Sequence, residues 1–205
     1  MSKHVILDFE TMGTDPSNCA IVDVSVMVFE WDRFETRPYT YKDINQAQKF
    51  KVSVTDQVKN YGMKVENDVI DFWNSQPPEV KKNVAPKKSD LTVKEFTEQF
   101  MDFLIPHGNI DRWWSRSNTF DPVILTRLFD TQGKKKHLEE YLKYYLVRDT
   151  RTWIDAKLNF PKKNGFVMKE WSEEFKAHDS AWDILADVLR LQFIHRVEFD
   201  LEEPQ

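Results

Sequence analysis

The stretch from His4 to Gly13 reads HVILDFETMG and combines a buried-strand pattern with two closely spaced acids. Its apolar run predicts a buried β-strand over residues 4–9. Side chains two residues apart point to the same face of a strand, so Asp8 and Glu10 are expected to lie side by side. Neighbouring carboxylates repel each other, and a hard divalent cation such as Mg²⁺ or Mn²⁺ would relieve that repulsion. A solvated strand end is the alternative explanation for this pair.

A turn and two further strands are expected after this stretch. Residues 13–18 have a turn-like composition, and residues 20–31 alternate in a way that suits a second strand. One face of that strand carries Ile21, Asp23, Ser25 and Met27. Residues 36–42 are the candidate third strand, which would close an antiparallel meander.

The rest of the chain predicts helices that alternate with two short strands. Amphipathic or proline-bounded patterns predict helices over residues 65–76, in part of 77–90, and over 91–104, 122–132, 149–157 and 180–197. Strands are predicted over 112–115 and 144–147. This order indicates a mixed α/β protein with a central sheet. We expect one domain over residues 1–199 and an acidic, frayed tail over 200–205.

Composition places the chain among ordinary globular proteins. It has 205 residues, of which 40% are hydrophobic and 31% charged. No apolar segment approaches the about 20 residues of a membrane span, and the N-terminus does not resemble a signal peptide, so no membrane partner is expected. The single cysteine, Cys19, excludes an internal disulfide, fits a reducing cytoplasm and is expected to be a buried apolar residue. The net charge of −5 argues against a protein that coats nucleic acid by general electrostatics.

Further polar residues stand at predicted helix starts, and each has an ordinary explanation when taken alone. Asp121 precedes a proline and suits a helix N-cap. The stretch 180–183, SAWD, fits a capping box with its final Asp in place of Glu. His178, on the loop before that helix, would be a surface residue. Asp179 and Asp187 are expected to be a cap and part of a solvated face.

Taken together, these residues resemble the signature of the DnaQ-like 3′–5′ exonucleases. The order matches that family: Asp-x-Glu at the end of the first strand, Phe-Asp after a later strand, and His-x₄-Asp at the start of a final helix. The three motifs are 8–13 (DFETMG), 118–121 (NTFD) and 178–183 (HDSAWD). Segments 72–86, 120–125, 148–152 and 177–187 are similar to the branch of this family carried by T-even phages. Segment 72–86 is no part of the general signature, so it favours that branch.

The resemblance implies a fold and a catalytic site. The fold would be α/β and RNase H-like, with a central mixed five-stranded sheet (an antiparallel three-strand meander plus two parallel strands) flanked by helices. Asp8, Glu10, Asp121 and Asp183 would hold two Mg²⁺ or Mn²⁺ ions, one generating the attacking hydroxide and the other stabilising the leaving 3′ oxygen. His178 would act as the general base. The product would be a 5′-mononucleotide.

Substrate contacts are implied at residues that flank the acids, namely Thr11, Met12, Asn118 and Phe120. The Thr11 backbone would receive the terminal 3′-OH, and Met12 would pack on the last base, which suits an enzyme that tolerates any sequence. Residues 148–152, RDTRT, would either meet phosphates through their arginines or cap the next helix with Thr150 or Thr152.

Two other residue groups carry weaker expectations. Of the lysine clusters at 81–88, 134–136 and 162–163, only the first is expected to contribute to DNA binding, because it lies in the branch-specific segment. Trp113 and Trp114 point to opposite faces of one strand, so one of the two is expected to be exposed.

The expected partner is the 3′ end of a single-stranded nucleic acid, with DNA favoured over RNA by the resemblance alone; protein partners stay open. The first alternative is an exonuclease that trims RNA or short oligoribonucleotides, because a contact to the 2′-OH cannot be read from a sequence. The second is a catalytically silent nucleic-acid-binding domain, against which the intact set of four acids and a histidine argues. A phosphohydrolase of small molecules would need a glycine-rich phosphate loop, which this chain with 5 Gly lacks. The expected location is the cytoplasm, or the host cytoplasm for a phage-encoded chain.

Overall fold

The computed structural model describes residues 2–158, 164–168 and 173–201. Its strands are β1 (Lys3–Thr11), β2 (Ile21–Glu30), β3 (Gln48–Lys51), β4 (Arg112–Ser115) and β5 (Val147–Asp149). They form one sheet in the order β3-β2-β1-β4-β5. The first three strands form an antiparallel meander, while β4 runs parallel to β1 and β5 runs parallel to β4. The predicted mixed five-stranded sheet is therefore confirmed.

Two strand predictions were wrong in position. The third strand is β3, not residues 36–42, because the chain between β2 and β3 folds into a short helix and a 3₁₀ turn. That turn (Tyr41–Gln46) is fixed by a capping box. The Thr40 hydroxyl accepts a hydrogen bond from a backbone N–H of the first turn, and the Asp43 carboxylate accepts one from the Thr40 backbone N–H. The last strand begins at Val147, where a 3₁₀ turn over Tyr144–Leu146 ends, so it shares only that residue with the predicted strand.

The helices of the described residues surround the sheet. They are α1 (Arg33–Thr36), α2 (Val54–Tyr61), α3 (Asn67–Ser75), α4 (Pro78–Val84), α5 (Val93–Leu104), α6 (Asp121–Thr131), α7 (Lys135–Tyr141), α8 (Thr150–Leu158) and α9 (Ser180–Glu198). All six predicted helices are present within a few residues of their expected ends, whereas α1, α2 and α7 were not predicted. The lysine pair 162–163 and residues 202–205 of the expected tail lie outside the described residues.

Helices cover both faces of the sheet. In β1, Leu7 and Phe9 face a core built with α5 and α6, while Ile6 faces a second core built with α9. Trp113 belongs to the first core and Trp114 to the second, and each is only 3% exposed. The prediction that one of these tryptophans is exposed was wrong because neither face of β4 is open to solvent.

The 19-residue helix α9 holds one end of the chain against the centre of the sheet. Its Ile184, Leu185, Val188 and Leu191 are buried in the second core. Each fully buried aliphatic side chain contributes about 1.5–3 kcal/mol relative to an exposed one. This packing places the first turn of α9 over the carboxyl end of β1. Within the described ranges, no helix combines the length and apolarity needed to cross a bilayer.

Candidate active site

The carboxyl end of β1 carries two acids on the face that α9 covers. Ser25 lies opposite Asp8 in the antiparallel pairing with β2, and Asp23 lies opposite Glu10. Carboxylate oxygens of Asp8, Glu10 and Asp183 all lie within 4.8 Å of one another, although Asp183 comes from α9. The structure therefore brings together three of the four acids that were predicted to bind metal.

The first turn of α9 holds Asp183 in place through contacts to β2. The helix is capped by Asp179, whose Oδ1 accepts a hydrogen bond from the Ala181 backbone N–H at 3.1 Å. The hydroxyl of Ser180 lies 2.7 Å from the Ser25 hydroxyl and donates to Asp23 Oδ1 at 2.6 Å. The capping-box interpretation of residues 180–183 was therefore wrong, whereas Asp179 is the cap that was predicted.

Asp121, the fourth acid, reaches β1 from another helix. It is the first residue of α6, is only 3% exposed, and its Oδ1 accepts a hydrogen bond from the Phe9 backbone N–H at 3.4 Å. Phe120 occupies the N-cap position and makes no side-chain cap bond. The N-cap interpretation of Asp121 was wrong, because this carboxylate is directed at the strand segment between Asp8 and Glu10.

Burial and mutual repulsion act on all four acids. Burial raises the pKa of Asp8, and the neighbouring Asp121 and Glu10 raise it further. Burial also raises the pKa of Glu10. For Asp121 and Asp183, burial raises the pKa to about 7 in each case. Such acids retain protons near neutral pH unless a cation neutralises them, and a set of carboxylate oxygens fits a hard divalent cation.

Asp187, which was expected on a solvated face, is buried beside this cluster. It lies one helical turn after Asp183 on α9. Its Oδ1 accepts hydrogen bonds from Arg116 Nη1 at 2.7 Å and Arg190 Nη1 at 2.6 Å, and its Oδ2 accepts one from the Thr150 hydroxyl. The two guanidinium groups compensate the buried charge. The prediction failed because Arg116 and Thr150 come from segments that are distant in the sequence.

A second polar network, not predicted, connects β2, β3, α4 and α9. Lys49 Nζ lies 2.8 Å from Asp179 Oδ1 and 3.8 Å from Asp23 Oδ2. Asn83 of α4 donates to Asp179 Oδ2 at 3.2 Å. Burial lowers the pKa of Lys49, but the two acids outweigh it, so the net shift is upward. The sequence did contain one sign of this network: Asp23 and Ser25 are two polar residues on one face of an otherwise apolar strand.

His178 lies on the loop before α9, as predicted, and its side chain is exposed. Its backbone has a φ of 61°, in the left-handed region that non-glycine residues rarely adopt. The imidazole packs edge-on against two rings of α3, with centroid distances of 5.2 Å to Phe72 and 6.3 Å to Trp73. The segment that favoured the phage branch therefore supplies the surface against which His178 rests.

The four residues that were predicted to contact substrate stand within three residues of Glu10 or Asp121 in the sequence. The Thr11 carbonyl, directly after Glu10, accepts a hydrogen bond from Trp73 Nε1 at 3.0 Å. Met12 and Phe120 are half-buried and pack against the first core. Asn118 is exposed on the loop that leads into α6. Their contacts to a nucleotide stay predictions.

In the segment 148–152, the side chain that bonds to the first turn of α8 is that of Asp149. Asp149 Oδ1 accepts a hydrogen bond from the Thr152 backbone N–H at 2.7 Å, and Oδ2 accepts one from Asn118 N–H at 3.1 Å. Arg148 donates to the Val147 carbonyl at 2.7 Å. The alternative that Thr150 or Thr152 caps the helix was wrong in its residue, since Asp149 does so.

Comparison with known proteins agrees with this arrangement. Residues 3–190 match the family described as the 3′–5′ exoribonuclease Rv2179c-like domain. The exodeoxyribonuclease of Enterobacteria phage T4 is 28% identical over 212 residues, which cover 97% of this chain and 91% of the phage protein. The similarity to the T-even phage branch is thereby confirmed.

Solved structures of exonuclease I share the fold. The zinc-bound E. coli exonuclease I–ssDNA complex matches 97% of this chain with a TM-score of 0.60 and 14% identity. Exonuclease I from Methylocaldum szegediense matches 96% of this chain with a TM-score of 0.60 and 12% identity. This chain spans 42% and 41% of the length of those two chains. The RNase H-like fold is thus confirmed, and the chain belongs to the family described as the 3′–5′ exoribonuclease Rv2179c-like domain.

Proposed function

We propose that this protein is a 3′–5′ exonuclease that releases 5′-mononucleotides from the ends of single-stranded DNA. One observation carries the proposal: Asp8, Glu10 and Asp183 converge within 4.8 Å, and Asp121 bonds to the backbone between the first two. Four shielded carboxylates with raised pKa values would destabilise the fold without a compensating charge. In a nuclease site, bound divalent cations would supply this compensating charge and would also take part in catalysis.

The proposed cofactors are two Mg²⁺ or Mn²⁺ ions held by Asp8, Glu10, Asp121 and Asp183. When bound, such ions polarise the scissile phosphate and lower the pKa of a water molecule. The contribution of the protein is to hold the four carboxylates in place from three elements. Asp8 and Glu10 are fixed by strand pairing, Asp121 by the Phe9 N–H, and Asp183 by the docking of α9.

His178 is proposed as the general base that takes the proton from the attacking water. Its position supports this role: the imidazole is exposed, and it stands on the loop that leads into α9, the helix that carries Asp183. Phe72 and Trp73 limit the orientations available to the ring. Thr11, Met12, Asn118 and Phe120 are proposed to hold the terminal nucleotide, and the lysines of segment 81–88 to attract the strand.

The substrate class rests on the relatives. The phage T4 relative, which matches nearly the whole chain, is an exodeoxyribonuclease, and E. coli exonuclease I has been solved in complex with a dT13 oligonucleotide. The description of the matching family as an exoribonuclease favours RNA as the second candidate substrate. We propose residues 1–199 as a single catalytic domain, supported by the family match over 3–190, and the cytoplasm, or the host cytoplasm for a phage-encoded chain, as its location.

A nuclease assay tests this proposal directly. Labelled single-stranded DNA and RNA of equal sequence are incubated with Mg²⁺, Mn²⁺ or EDTA. We expect stepwise shortening of DNA from the 3′ end with either metal and none in EDTA. Asp8→Asn should abolish the reaction, while Glu139→Gln, at an exposed acid of α7, should leave it unchanged. Activity that persists in EDTA or in Asp8→Asn would overturn the proposal. Faster degradation of RNA than of DNA would favour RNA, the second candidate substrate.

A further inference from the structure

A cleft of about 470 Å³ runs along the outer side of α6, the helix whose first residue is Asp121. We call it the α6 cleft. Its floor is formed by β4 and β5, one wall by α6 and a rim by the 3₁₀ turn before β5. The residues that matter here are Asn118, Pro122, Arg127, Lys135, Tyr144 and Val147. None of the proposed metal ligands lines it, so its chemistry is separate from theirs.

The rim of the α6 cleft presents an aromatic ring to solvent. The side chain of Tyr144 is 78% exposed, which is unusual for a residue of this size in a protein whose other rings mostly pack in two cores. Val123 of α6, 40% exposed, adds apolar surface to the same cleft. An exposed ring beside a shallow apolar surface is the arrangement on which nucleobases stack in proteins that bind single strands.

The inner wall of the α6 cleft carries positive charge. Arg127 Nη2 donates to the Cys19 carbonyl at 2.6 Å, whereas its buried Nε and Nη1 have no hydrogen-bond partner among the described residues, so the guanidinium acts on the cleft through its charge. No carboxylate of the described ranges lies within ion-pair distance of this guanidinium. Lys135 adds a second cation, and Asp130 adds one acid. A cleft with this balance suits an anionic group such as a phosphodiester.

One end of the α6 cleft lies at the start of α6, the end of the helix that carries Asp121. Asn118 stands three residues before Asp121 in the sequence, and Pro122 follows Asp121 directly. From Pro122 to Asp130 the helix extends about 12 Å at ~1.5 Å per residue. A strand whose terminal nucleotide lies at the acids could therefore continue along α6 without leaving the protein surface.

We propose that the α6 cleft is a subsite for an upstream nucleotide of the single-stranded substrate, one further from the 3′ end than the nucleotide at the acids. Its base stacks on Tyr144, and its phosphodiester lies near Arg127 and Lys135. This inference rests on the proposed exonuclease function, since it assigns that substrate a second contact.

The test compares oligonucleotides of different length in Tyr144→Ala, Tyr144→Phe and Tyr145→Ala. Tyr145 is the matched control, because it is 57% exposed and its ring lies 5.4 Å from that of Tyr144, yet it does not line the cleft. For dT8, we expect Tyr144→Ala to raise KM about tenfold, as loss of one stacked base does, with kcat nearly unchanged. Tyr144→Phe retains the ring and should behave as the wild type, as should Tyr145→Ala. For dT2, all variants should match the wild type.

The outcomes separate this subsite from the proposed function. If the wild type shortens dT8 but Tyr144→Ala has the same KM, or if Tyr145→Ala loses as much, the subsite is refuted while the exonuclease stands. If the wild type shortens no oligonucleotide, the proposed function fails. Binding of fluorescein-labelled dT8, followed by anisotropy in EDTA, then still tests the cleft: weaker binding by Tyr144→Ala than by Tyr145→Ala supports it, and equal binding overturns it.

Discussion

Replacing Asp187 with asparagine removes the charge that compensates two guanidinium groups beside the cluster of acids. The side chains of Asp187 and Arg190 are 3% and 5% exposed, and that of Arg116 is 24% exposed. Removing one partner of a buried ion pair costs about 3–5 kcal/mol, because the remaining charge stays buried without its counter-ion. Asparagine keeps one carbonyl acceptor, so we expect the lower end, about 3 kcal/mol.

Thermal unfolding followed by circular dichroism measures this effect. A loss of about 3 kcal/mol in a protein of this size corresponds to a melting temperature roughly 6–12 °C lower. The control is Glu98→Gln, which breaks the ion pair with Lys134 at a similar distance of 3.0 Å but with side chains that are 47% and 31% exposed. Exposed pairs contribute about 0–1 kcal/mol, so this variant should melt close to the wild type. A melting temperature of Asp187→Asn within about 2 °C of the wild type would refute the reasoning.

Three further predictions follow from the site. Burial raises the pKa of Asp121 and of Asp183 from the ordinary 3.8 to about 7 in the folded state, so that state binds protons more tightly than the unfolded chain. The metal-free protein should therefore lose stability as pH rises from about 4 to about 7; melting curves in EDTA and in Mg²⁺ check this, and an equal or rising melting temperature in EDTA would contradict it. In Gly13→Ala the added Cβ would lie 2.7 Å from Glu66 Oε1 and 2.9 Å from the Cβ of Cys19. Urea unfolding should therefore show a free energy of unfolding that is lower by about 1–3 kcal/mol, and an unchanged midpoint would count against this geometry. Phe72→Ala removes a 40% exposed ring that rests on His178, so kcat should fall while the melting temperature hardly changes; full activity would show that the ring does not orient the histidine.

Strongly periodic elements could be predicted because their own residues determine their burial. In β1, β2 and α5 the apolar side chains recur with the period of the element, and the structure places each of them within a few residues of its predicted bounds. β3 could not be found in this way. It is a short edge strand with Phe50 as its one buried residue, and its pairing with β2 is a long-range contact.

Helix α2 was missed for a different physical reason. Its buried residue is Gln57, whose side-chain amide bonds to both the N–H and the carbonyl of Ile21 at 2.8 Å. The amide thereby substitutes for a strand partner at the edge of the meander. Its apolar residues Val54, Val58 and Tyr61 are at most partly buried, so the apolar pattern of this eight-residue helix is much weaker than that of α5.

The four clustered acids were predictable as a set, whereas the groups that support them were not. Order and spacing indicated Asp8 and Asp183, because the chemistry demands these side chains in these motifs. Lys49, Asp23 and Asp187 depend on which segments meet in three dimensions. Asp187 was therefore assigned to a solvated face, and no role was predicted for Lys49 or Asp23, although the structure uses all three to hold α9 on the sheet.

The two outer strands of the sheet have a consequence for how the protein behaves in concentrated solution. A long, unprotected outer strand offers free backbone groups to a strand of another molecule, which is a common route to aggregation. Here β3 has four residues and β5 has three. Lys51 of β3 donates to the carbonyls of Asn83 and Ala85 at 2.7 and 2.6 Å, which holds the end of α4 beside that strand. The long strands lie inside the sheet, so intermolecular strand addition is disfavoured at both of its borders.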